Sequence, residues 1–132
     1  MPNTQDLLPE LEAACDNLLW RSETDYPFEV TVLPAEQNLS NTEWLLQNYP
    51  ADTPVHVASL NDFFGKATVE RAWFDSRELN RVRRYKNLRD LLETTLENLK
   101  VYRIGDVEID VYLLGDTEDD QVVGVKTKVV ET

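Results

Sequence analysis

Val101-Tyr102-Arg103-Ile104-Gly105-Asp106-Val107-Glu108-Ile109-Asp110-Val111-Tyr112-Leu113 is the stretch on which the fold turns. Val107, Ile109, Val111 and Leu113 fall on one face and mainly polar residues on the other, the two-residue period of a half-buried strand. Gly105-Asp106 divides this run from the shorter Val101 to Ile104, so the two read as a hairpin. Downstream, Gly115-Asp116-Thr117-Glu118-Asp119-Asp120 turns the chain into Gln121 to Val130, where Val123, Val125, Thr127 and Val129 alternate with Gly124, Lys126 and Lys128. A meander follows. Its last strand ends two residues before Thr132, which places the terminal carboxylate at a sheet edge.

Upstream, Asp75 to Leu99 sets Leu79, Val82, Tyr85, Leu88, Leu92, Leu96 and Leu99 three or four positions apart, the stripe of a long amphipathic helix. Arg77, Arg81, Arg84 and Lys86 mostly fall off it. They read as a solvated face with pairs to acids such as Asp90 and Glu93, the alternative being a small basic groove for RNA. Val55-His56-Val57 is a short strand between Pro54 and a short helix capped by Asn61, and Asn41 to Asn48 suits another short helix burying Trp44 or Leu45. Phe28 to Leu33 alternates and stops at Pro34. The first element is a helix near Thr4 to Leu19, with Leu8, Leu11, Cys15, Leu18 and Leu19 on one side, Thr4 or Asp6 as cap, and Pro9 tolerable only in the first turn. No repeat or low-complexity tract interrupts the order, and residues 1–132 are expected to form one α+β domain.

Composition narrows the function. The 132 residues carry 25 Asp and Glu against 13 Lys and Arg, a formal charge of −12, and 42% of them are hydrophobic, ample for a core. A phosphate backbone is repelled by this acid excess, so direct nucleic-acid binding is disfavoured and a basic surface is the better partner. The basic residues concentrate at 71–100, with 8 basic against 5 acidic groups, while residues 1–70 carry 2 against 12. One Cys and one His exclude an internal disulfide and a multi-His metal site. No apolar run approaches the roughly 20 residues of a membrane span. Met1 to Asp6 lacks the basic start and apolar stretch of a signal peptide. A cytoplasmic protein with no membrane contact is expected.

Catalytic patterns are missing. His56 lies in a Val-rich run with no nucleophile elbow, Cys15 is on the apolar side of a helix, and the 4 Gly form no phosphate loop. No cofactor and no enzymatic activity are expected. Carboxylates remain: Glu108 and Asp110 on one strand face, the turn Glu118-Asp119-Asp120, and the polar loop Ser22-Glu23-Thr24-Asp25. Each can approach a cation, but surface acids usually serve solubility and turn formation, and the turn lacks the alternating ligands of a calcium loop. A metal-dependent enzyme built on Glu108, Asp110 or Glu23 is the weaker rival; an acidic regulatory module for another basic protein is the stronger one.

Four ordered blocks carry a resemblance: Leu18-Leu19-Trp20-Arg21-Ser22-Glu23-Thr24-Asp25-Tyr26-Pro27-Phe28-Glu29-Val30, Asn61-Asp62-Phe63-Phe64-Gly65-Lys66-Ala67-Thr68, Val101 to Tyr112, and Thr127-Lys128-Val129-Val130-Glu131-Thr132. Together they are similar to the cyanobacterial nuclease A inhibitor family. The resemblance implies a three-layer α/β/α sandwich around a mixed, mostly antiparallel sheet, of the PR-1-like kind. It also implies a partner, a sugar-non-specific, magnesium-dependent endonuclease of the His-metal finger type, blocked by a protein expected to be monomeric when free. Glu23 and Thr132 match the family positions that reach the partner's metal, flanked by Thr24, Asp25 and Glu131. Magnesium takes hard oxygen ligands, so a carboxylate, hydroxyl or terminal carboxylate there mimics phosphate. A further patch precedes the long helix, where the family carries a polar residue, an acid and a Trp and this chain has Arg71-Ala72-Trp73. Trp73 keeps the aromatic anchor unless it packs in the core, and replacing the acid weakens or redirects binding to a basic cleft.

Overall fold

The computed structural model describes residues 3–33 and 40–131. Pro34 and Thr132, both given roles above, lie outside the described residues. In chain order the elements are α1 (Thr4–Cys15), β1 (Leu19–Trp20), β2 (Tyr26–Pro27), β3 (Glu29–Leu33), α2 (Asn41–Leu46), β4 (Val55–Ala58), α3 (Leu60–Phe64), a 3-10 turn (Gly65–Thr68), α4 (Ser76–Thr95), β5 (Glu97–Ile104), β6 (Glu108–Asp116) and β7 (Val122–Val130). Strands β3 to β7 build one sheet in the order β3-β7-β6-β5-β4, and β1 pairs with β2 in a separate ribbon.

The meander is present as β5-β6-β7, because short turns joining consecutive strands impose antiparallel pairing. The mixed sheet is corrected: all four pairings in the five-stranded sheet are antiparallel, including β3 with β7 and β4 with β5. The last strand, β7, is internal, between β3 and β6, and the terminal carboxylate on Thr132, expected at a sheet edge, lies outside the described residues. At Gly124 the strands are so close that an added Cβ would sit 1.7 Å from the Leu113 carbonyl oxygen, so only glycine fits.

One sheet face meets α1, α3 and α4. Leu7 and Leu11, Phe63 and Phe64, and Tyr85, Leu88 and Leu92 pack on Val101, Ile109, Val111, Leu113, Val123, Val125 and Val129. Each fully buried side chain of this size stabilises the fold by about 1.5–3 kcal/mol. On the other face Leu45 of α2 joins Leu33, Tyr102, Ile104 and Leu114, with Trp44 partly buried beside them. The fold is therefore mixed α+β, with helices against an antiparallel sheet.

Several helix limits differ from the sequence reading. Asn3 caps α1 by accepting the Asp6 N–H, and the buried stripe uses Leu7 rather than Leu8. The helix stops at Cys15 because Asn17 takes a left-handed conformation (φ 56°), turning Leu18 and Leu19 out of the helix. Pro9 is the sixth residue of α1, past the first turn, and leaves one carbonyl of the preceding turn without its i+4 donor. Ser59, not Asn61, caps α3 through a capping box with Asp62. Helix α4 is capped by Asp75, which accepts the Glu78 N–H, and ends at Thr95; Leu96 is extended, Asn98 is left-handed, and a bulge lies between Glu97 and Lys100, so Leu99 belongs to β5.

Candidate functional site

The register of β3 with β7 ends at Glu29 opposite Lys126, leaving the last four residues of β7 without that neighbour. The β1-β2 ribbon takes its place. Buried Thr127 donates its hydroxyl to the Pro27 carbonyl at 3.0 Å. At the ribbon's tip Ser22 Oγ accepts the Val130 N–H at 3.0 Å and donates to the Thr24 carbonyl at 2.9 Å. The Glu23 N–H reaches back to the Val130 carbonyl at 3.4 Å. The loop that carries Glu23, Thr24 and Asp25 is thereby stitched to Val130, the last residue of β7.

A rigid floor holds the ribbon. Trp20 stacks on Phe63 with centroids 4.4 Å apart and meets Phe28, Phe64 and Tyr85 at 5.1–6.0 Å. The Tyr85 hydroxyl donates to the Leu19 carbonyl, and burial pushes this phenol's pKa up. Above the floor opens a cleft of about 490 Å³ lined by Trp20, Arg21, Ser22, Glu23, Phe63, Arg103, Val129, Val130 and Glu131. Glu131 is fixed twice, by its N–H on the Val107 carbonyl at 2.9 Å and by its carboxylate on Arg103 at 2.9 Å. Arg21 and Asp25 face each other across the loop at 3.6 Å, an exposed pair that contributes little to stability.

The structure thus brings Glu23 and Glu131 to one cleft, and Thr24 and Asp25 lie on the same exposed loop. Ser22 and Arg103 are the residues that position them. Ser22 stood in the polar loop without a role, and nothing in the local sequence around Arg103 points to Glu131, its partner 28 residues on.

Arg71, Ala72 and Trp73 belong to a different segment, between the 3-10 turn and α4. Trp73 is 76% exposed, which rules out core packing. The Arg71 guanidinium lies 6.0 Å from its ring centroid, and Phe74 meets it edge-on at 6.1 Å. Glu70 at the start of the segment is tied to Arg83 at 2.9 Å, a bond that lowers the Glu70 pKa.

The other chemical groups resolve into structural parts. Asp119 accepts from the Thr4 N–H at 3.0 Å, the Thr4 hydroxyl at 2.8 Å and the Thr117 hydroxyl at 2.7 Å, so the acidic turn anchors the start of α1. Asp110 accepts from the Tyr49 hydroxyl and lies 3.9 Å from Lys128 Nζ. Burial, and then that bond to Asp110, pushes the Tyr49 pKa far up. Cys15 is buried and its thiol is raised to about 11 by desolvation, the opposite of an activated nucleophile. His56 is exposed on edge strand β4, opposite Arg103. Among the described residues no group of three or more His, Cys, Asp or Glu side chains is placed to hold a metal ion, and no helix is long and apolar enough to cross a membrane.

Comparison with curated proteins gives no match. A family model described as NuiA, nuclease A inhibitor-like protein, matches residues 5–132. That span includes the stitched loop, the exposed Trp73 segment and the whole sheet, and the chain belongs to the nuclease A inhibitor-like family.

Proposed function

We propose that the protein is a non-enzymatic inhibitor of a sugar-non-specific, magnesium-dependent endonuclease, acting as one domain over residues 1–132. Helices on both sheet faces support the finer description of the fold as an α/β/α sandwich. One observation carries the functional reading: the Glu23 loop and the end of β7 share a rim, joined through Ser22 and Val130. That rim supports the reading in which oxygen-bearing groups from two distant parts of the sequence act together.

Catalysis by such a nuclease uses magnesium with positions open to phosphate oxygens. Glu23 supplies a carboxylate to that position, and Thr132, directly after the fixed Glu131, supplies a hydroxyl or carboxylate. Thr24, Asp25 and Glu131 extend the polar rim. Trp73, exposed to 76%, provides an aromatic anchor for the partner's surface. Arg71 and Ala72 in place of the family's polar residue and acid favour a nuclease that itself bears an acid opposite Arg71. The net charge of −12 accelerates encounter with a basic cleft, at a rate that falls with added salt.

The test is a cleavage assay with a sugar-non-specific endonuclease from the same cell and equimolar, micromolar protein. Inhibition that is lost on Glu23→Ala and on deletion of Thr132 supports metal-site capture. Absence of inhibition refutes it, and inhibition indifferent to both changes leaves an acidic regulatory module, which needs the charge but not the terminal residue.

A further inference from the structure

Arg21 also lines a second cleft, of about 260 Å³, between the ribbon and helix α4, where it is joined by Asp25. Its wall carries Arg21, Arg77, Arg81 and Arg84, the amides of Asn17 and Asn80, and a single carboxylate, Asp25. In a protein of net charge −12 this is a local reversal of sign.

Helix stability does not account for it. Arg77, Arg81 and Arg84 follow one another at spacings of four and three, so like charges share one helix face and repel. Arg77 is the second residue of α4, where the positive end of the helix dipole disfavours a cation. Neither Arg77 nor Arg81 has an acidic partner among the described residues, whereas Arg83 pairs with Glu70 at 2.9 Å and Arg89 with Asp90 at 3.2 Å. The other two guanidiniums are already oriented. Arg84 donates to the Ala14 carbonyl at 3.2 Å and to the Asp16 carbonyl, and Arg21 is held near Asp25.

We propose that this cleft binds a small phosphoryl-bearing anion, of the size of pyrophosphate or a nucleoside monophosphate. Guanidiniums stay charged at every physiological pH and match phosphate oxygens two at a time, and the neighbouring amides add neutral donors. The volume lies just below the usual range of ligand pockets, which suits a small anion. Acidic surface on the rest of the chain repels a long polyanion, which favours a small ligand over RNA. A phosphate in the cleft competes with Asp25 for Arg21 and so acts on the Glu23 loop from its other side. That consequence rests on the inhibitor reading; the binding itself does not.

The test uses the isolated full chain at low salt, titrated with inorganic pyrophosphate and separately with adenosine 5′-monophosphate, followed by calorimetry and by amide and guanidinium NMR shifts. Saturable shifts at Arg21, Arg77 and Arg81 are expected. The double substitution Arg77→Gln with Arg81→Gln weakens binding by about tenfold or more, since two charge-assisted contacts are lost. Arg21→Gln weakens it independently, and Arg83→Gln, outside the cleft, leaves it unchanged. Tighter binding of the nucleotide assigns the base to the cleft, and equal affinities assign phosphate alone. No saturable shift with either probe up to millimolar concentration, or undiminished binding by folded Arg77→Gln/Arg81→Gln protein, overturns the proposal.

Discussion

Ser22→Ala removes one oxygen and, with it, the clamp between the Glu23 loop and β7. The hydroxyl accepts the Val130 N–H at 3.0 Å and donates to the Thr24 carbonyl at 2.9 Å. Each bond contributes about 1 kcal/mol net, and the partly buried Val130 N–H loses its partner, so local opening becomes easier by roughly 1–2 kcal/mol. That corresponds to roughly 5- to 30-fold faster exchange of the Val130 amide. Hydrogen exchange followed by NMR reads this residue by residue. The Glu23 amide, bonded to the Val130 carbonyl, accelerates with it, while Val111 in the middle of β6 exchanges as before. Nuclease inhibition weakens by a similar factor although no carboxylate has been touched. Unchanged Val130 exchange, or a uniform rise across all amides, would refute the idea of a local clamp.

Three further outcomes follow from the same geometry. Trp73→Ala leaves the thermal midpoint unchanged, as surface substitutions usually stay within about 0.5 kcal/mol, but weakens inhibition by about 2 kcal/mol, roughly thirtyfold; full potency of the variant removes Trp73 from the interface. Asp119 has a lowered pKa, first through the Thr117 hydroxyl and then through Thr4, so its stabilising contribution is complete above the ordinary aspartate value of about 4 and is lost as pH falls through the lower folded value. Urea midpoints of wild type and Asp119→Asn should therefore draw together as pH falls below the ordinary aspartate range, and a gap that stays constant as the solution is acidified contradicts this. The Cys15 thiol, raised to about 11 by burial, favours the protonated form in the folded state, so stability declines as pH climbs from the ordinary thiol value toward 11. Alkylation by iodoacetamide at pH 8 should be far slower in native than in urea-unfolded protein; equal rates exclude a buried thiol.

The sheet was legible where side chains alternate against a single core. Ile109, Val111 and Leu113 on β6 and Val123, Val125 and Val129 on β7 all sit on one buried face, as the two-residue period requires. The border near Thr95 was not legible, because Leu92, Leu96 and Leu99 satisfy a helical stripe while a left-handed Asn98 and a bulge begin the strand. Nor was the break after Cys15. Leu18 and Leu19 extend the stripe of α1, but left-handed Asn17 turns the chain and Leu19 pairs with Pro27, whose carbonyl is held by Thr127, 100 residues on. From its local pattern the loop around Glu23 reads as polar and no more, its role at a partner's metal entering only through the family resemblance. What places it beside Glu131 is the Ser22 to Val130 bond, spanning 108 residues, and no local pattern encodes such a distance. Asp119 illustrates the same limit: its acidic turn reads as solubility until Thr4, 115 residues upstream, is found on its carboxylate.

Residues 19–27 are tied to β7 at both ends, through Thr127 at the base and Val130 at the tip, which makes them a natural unit to exchange. A transplant between relatives needs three conditions in the recipient: a hydroxyl at position 127 to receive the ribbon's base, an unpaired strand flank at 130 to receive its tip, and an aromatic bed for the tryptophan. With these in place, the inhibitor reading proposed above expects target preference to travel with the ribbon. The tip can be rewritten at 23 to 25 without redesigning the sheet beneath, provided the serine at 22 travels with it.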